Sequence, residues 1–70
     1  MSAEDKAKLK ILLKHWVEHN KEHEEEFAIW ADKARIAGAS EAADSILGAV
    51  RAMDKAGDYL AQALRALGED

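Results

Sequence analysis

Residues suited to a packed seam recur along the chain at alternating spacings of four and three. The first series is Leu9, Leu13, Trp16, Asn20, His23, Phe27, Trp30 and Ala34; the second is Ala43, Ile46, Val50, Met53, Gly57, Leu60, Leu64 and Leu67. That period belongs to helices that pack along their length. Ser2-Ala3-Glu4-Asp5 fits a capping-box variant that opens the first helix, and Gly38 suits the left-handed position just past its end. Ser40 reads as the N-cap of the second helix, with Glu41 and Asp44 placed to complement its dipole, and Gly68 as its stop. The pattern predicts an all-α fold: one antiparallel αα-hairpin, helices about 3–37 and 41–67, in a single domain spanning 1–70. Each helix of roughly 30 residues would be roughly 45 Å long at 1.5 Å per residue.

A short turn forces antiparallel pairing, and the two series then meet without a slip. Ala34 faces Ala43, Trp30 faces Ile46, Phe27 faces Val50, and His23 faces Met53. Asn20 faces Gly57, Trp16 faces Leu60, Leu13 faces Leu64, and Leu9 faces Leu67. Trp16, Phe27 and Trp30 are the expected core anchors. Both ends of this seam are apolar, whereas its middle holds Asn20 and His23. Gly57, opposite Asn20, leaves room there and costs the helix roughly 1 kcal/mol relative to alanine.

Two helices alone have no true interior. Helix one also presents a flank of Leu12, His15, His19, Glu22, Glu26, Ile29 and Ile36, beside an alanine-rich flank of helix two: Ala49, Ala52, Ala56, Tyr59, Ala63 and Ala66. The simplest way to cover these flanks is a second copy of the chain, giving a homodimeric four-helix bundle.

Composition narrows the alternatives. Seventy residues without cysteine make one small domain that has no disulfide to staple it, so oligomerisation or a metal is the expected support. The net charge is −4 with signs mixed along the chain, which argues against nucleic acid as a partner. No apolar run approaches the length of a membrane span, and the polar, acidic start is unlike a signal peptide, so a cytoplasmic protein is expected. The three serines, Ser2, Ser40 and Ser45, have no evident triad partners, and so small a bundle offers little pocket. The chain is not expected to be an enzyme.

The chemistry lies in one run, His15-Trp-Val-Glu-His19-Asn-Lys-Glu-His23-Glu-Glu-Glu26. It contains every histidine of the chain, each four residues from the next, hence stacked along one edge of a helix. An i, i+4 histidine pair can clamp one ion, and imidazole with carboxylate suits zinc, nickel, cobalt or copper(II). His19 and His23 are the leading ligand candidates, and Glu26, Glu22 and His15 follow. Met53 opposite His23 reads more simply as a gap-filler. Di-iron proteins of the ferritin type use Glu-x-x-His on two helices; here the order is His-x-x-Glu, on helix one alone. Neither a haem attachment motif nor a haem-sized apolar pocket is evident.

The string His-Trp-x-Glu-His-Asn-x-Glu-His-x-x-Glu-Phe, His15 to Phe27, resembles small uncharacterised helical-hairpin domains of bacteria and archaea. The resemblance covers mainly helix one and implies no particular activity. The sequence therefore leads to a homodimeric helical protein that binds a divalent transition metal for handling or sensing. The competing reading is a metal-free dimerisation or adaptor module whose central polar layer only sets register. Histidines buried by dimerisation would also make such an assembly sensitive to pH, with a sign that the neighbouring glutamates leave open.

Overall fold

The computed structural model describes residues 1–68 and shows two helices, α1 (Ala3–Ile36) and α2 (Ser40–Ala66), packed as an antiparallel hairpin. The expected ends hold to within a residue. Ser2 caps α1 through its side chain, which accepts a hydrogen bond from the Asp5 N–H at 3.0 Å. Glu4 and Asp5 occupy the first turn of α1 and Lys33 and Arg35 the last, each matching the dipole end it meets. Gly38 turns the chain at φ +86°, and Gly68 follows α2 at φ +77°. A side chain is strained in this left-handed region, which explains glycine at both stops.

The start of α2 differs from the expectation. Ala39, not Ser40, is the capping residue, and no side chain accepts a hydrogen bond there. Ser40 is already helical. The Asp44 carboxylate instead accepts from the Arg35 guanidinium at 2.7 Å, tying the two helices across the turn.

The seam between the helices is also rotated from the one drawn by choosing the larger apolar residue at each layer. Leu13, Asn20, Phe27 and Ala34 face α2 as expected. Between them, however, Val17 and Ala31 are more covered than Trp16 and Trp30: Ala31 is 2% exposed, whereas Trp30 is 57% exposed and Trp16 42%. The reason is distance. The connection between the helices is three residues long, so their axes must run close together beside it. Ala31, Ala34 and Ala43 permit that approach, and an indole between them would wedge the helices apart. Leu13, Ala31 and Ala43 are the only buried apolar side chains among the described residues.

Midway along the seam the Asn20 side-chain amide donates to the Met53 carbonyl at 2.8 Å. A Cβ added to Gly57 would lie 3.0 Å from the same amide nitrogen, so the glycine makes room for that bond. The polar layer expected at Asn20 and Gly57 is therefore present.

The hairpin measures 52 × 17 × 14 Å, with a radius of gyration of 15.8 Å. A compact chain of this length would have a radius near 11 Å. Its two sides are unlike each other. One carries Phe27, Trp30, Ile46 and Ala49 around an apolar groove of about 310 Å³. The other carries a smaller groove of mixed character, where Val17 and Ala61 lie among Lys21, Glu24, Asp54 and Asp58. No helix among the described residues is long and apolar enough to cross a membrane.

Candidate metal centre

The histidine row rises along α1 on the side of the apolar groove. An α-helix places residues four apart one above the other, and the three rings follow that geometry. His15 stacks on His19 with centroids 5.5 Å apart and planes 15° from parallel. His19 and His23 meet edge to face, at 4.4 Å and 90°. The His23 and Phe27 rings are tilted, with centroids 6.0 Å apart, and Phe27 lines the apolar groove.

His23 is half-covered, as Asn20 and Phe27 are on the same helix. Its side chain is 42% exposed and that of His19 is 56% exposed, so the pair sits at the rim of the helix interface. The two Nε2 atoms are 3.0 Å apart, with one imidazole N–H donating to the bare nitrogen of the other ring. The other nitrogen of each ring faces a carboxylate one turn on. His19 Nδ1 lies 3.7 Å from Glu22 Oε1, and His23 Nδ1 lies 3.5 Å from Glu26 Oε1.

This arrangement separates the five candidate residues by role. His19 and His23 converge through their Nε2 atoms. Glu22 and Glu26 stand behind them on the Nδ1 side, where a carboxylate can orient an imidazole. His15 reaches the pair only by stacking. Among the described residues, no three His, Asp or Glu side chains of one chain come together as a metal site. A single hairpin thus offers a two-nitrogen clamp and not a closed coordination shell.

Two residues beside the clamp were legible only as core. Trp16 and Trp30 flank the histidines along α1 and are both substantially exposed, with the Lys33 ammonium 4.4 Å from the centre of the Trp30 ring. The clue was the small neighbour following each of them, Val17 and Ala31, either of which can face α2 in its place.

A family model matches residues 9–67, which takes in the histidine row and most of both helices. The chain belongs to the family described as domain of unknown function DUF8180. The DUF8180 match extends to α2, where the sequence alone offered no motif. Neither the curated proteins nor the solved structures give a match.

Proposed function

We propose that this DUF8180 chain binds a divalent transition metal as a homodimeric helical bundle, with His19 and His23 as its principal ligands. The observation that carries this reading is the 3.0 Å separation of their Nε2 atoms, with each Nδ1 directed toward a glutamate. Two nitrogens bound at about 2.0–2.1 Å to one tetrahedral ion would stand roughly 3.3 Å apart. The separation of the two nitrogens is therefore within a few tenths of an ångström of what one shared ion requires. Glu22 and Glu26 serve as outer-shell partners, and His15 lies further along the row. Handling or sensing of the ion is the role that fits a site at a solvent-accessible rim.

The test is titration of the chain with zinc, nickel, cobalt and copper(II), followed by calorimetry and thermal melting. A ligand that binds the folded state must stabilise it, so binding should raise the melting temperature. The combined His19→Ala and His23→Ala substitutions should remove that effect while the helices persist. Absence of binding below about 10 µM, with no change in melting temperature for any of the four metals, would sink the proposal.

One observation favours the competing adaptor reading. Asn20 already fixes the register of the hairpin by bonding Met53 without any metal. On that reading the histidines are a solvated polar edge, and the titrations return no binding.

A further inference from the structure

We infer that the metal lies on a two-fold axis between two copies of this chain, held by His19 and His23 of each; the inference rests on the metal-binding reading above. One chain supplies two converging nitrogens, while a closed zinc-type site takes four ligands. The remaining two can come from a second identical clamp if α1 can pair with itself around the histidines.

The spacing on α1 allows this pairing. Besides the seam that faces α2, α1 carries a second stripe with the same alternation: Leu12, Trp16, His19, His23, Glu26 and Trp30. Its spacings are 4-3-4-3-4, which read the same in both directions about Lys21. A stripe with that symmetry can pair with its own copy running the opposite way. Leu12 then meets the partner's Trp30, Trp16 meets the partner's Glu26, and His19 meets the partner's His23. The indole N–H of Trp16 gains a carboxylate acceptor in the second of these layers. In the third, two clamps face each other across the axis.

The surrounding surface supports a second copy as the occupant. Leu12 is 39% exposed, Trp16 42% and Trp30 57%, all along this stripe. The apolar groove beside Trp30 has room for the partner's Leu12. The hairpin exposes 5217 Å², whereas a compact chain of 7.7 kDa exposes about 4300 Å². The excess, roughly 900 Å², is close to the about 800 Å² that each partner gives up in a stable interface.

The experiment is a zinc titration of the full chain by calorimetry, with sedimentation run on the same samples. The expected result is one zinc ion per two chains, bound by a dimer. Leu12→Glu combined with Trp30→Glu alters only exposed positions, so the chain should stay helical. It should become monomeric and lose zinc affinity by roughly 100-fold or more, because the second clamp is no longer held in place. One zinc per chain on a monomer, or unchanged affinity in the double variant, would overturn the shared site and leave the metal-binding reading standing. No zinc binding at all would overturn both.

Discussion

The Asn20 side chain donates to the Met53 carbonyl at the level where Gly57 lacks a side chain, and the two features depend on each other. Gly57→Ala adds about 1 kcal/mol of helix propensity but brings a Cβ to 3.0 Å from the Asn20 amide nitrogen. The two effects should nearly cancel in the native background. With Asn20→Ala in place the clash is gone, and Gly57→Ala should stabilise by about 1 kcal/mol. Asn20→Ala alone should cost about 1 kcal/mol. Urea denaturation of the four proteins, read as a double-mutant cycle, measures the coupling; strict additivity would contradict the dependence.

The rotated seam predicts an order of stabilities. Leu13 is 3% exposed, and Leu13→Ala should cost about 2–5 kcal/mol. Trp30→Ala, at a position 57% exposed, should cost the isolated hairpin far less despite the larger side chain. Melting at low protein concentration compares them. A tryptophan variant that unfolds before the leucine variant would place Trp30 back in the core.

Ala39 leaves the start of α2 without a side-chain cap. Ala39→Asp supplies an acceptor for the free N–H groups and a negative charge at the positive end of the helix. It should raise stability by about 0.5–1 kcal/mol, with the charge component reduced by salt. Chemical denaturation at two salt concentrations separates the parts, and a variant no more stable than the native chain would show that the backbone at this turn does not admit the cap.

Glu26 stands 3.5 Å from His23 Nδ1. On the proposed metal site, Glu26→Gln keeps the shape of the side chain but weakens its hold on the imidazole. Affinity for zinc should fall by about 10–100-fold without loss of helix content. A titration and a circular dichroism spectrum of the same variant check both parts.

Much of the hairpin was legible in the sequence because its signals are local. Ser2, Gly38 and Gly68 act through the geometry of their own turns, and Asn20 with Gly57 stood out as polar and small in an apolar series. Less legible was which side of α1 turns toward α2. Leu13 and Asn20 lie seven apart, and both Trp16 and Val17 fall near the line between them. Choosing by hydrophobicity selects the tryptophan, but choosing by the space left beside a three-residue connection selects the smaller side chain. His23, unlike Trp16 and Trp30, stays half-covered. The i, i+4 pairing of His19 and His23 survived the change because it depends only on the pitch of α1. The assignment of Glu22 and Glu26 to the Nδ1 side needed side-chain positions that no spacing rule supplies.

The Arg35–Asp44 bridge spans nine positions of the chain, whereas the Asn20–Met53 bond spans 33. Every cross-helix contact between them is nested around the same turn. Folding can thus proceed like a zip fastener from Gly38, each closed layer shortening the loop that the next must bring together. The histidine clamp itself is exempt from that sequence, because its two rings belong to one helix and can align as soon as one turn of α1 has formed.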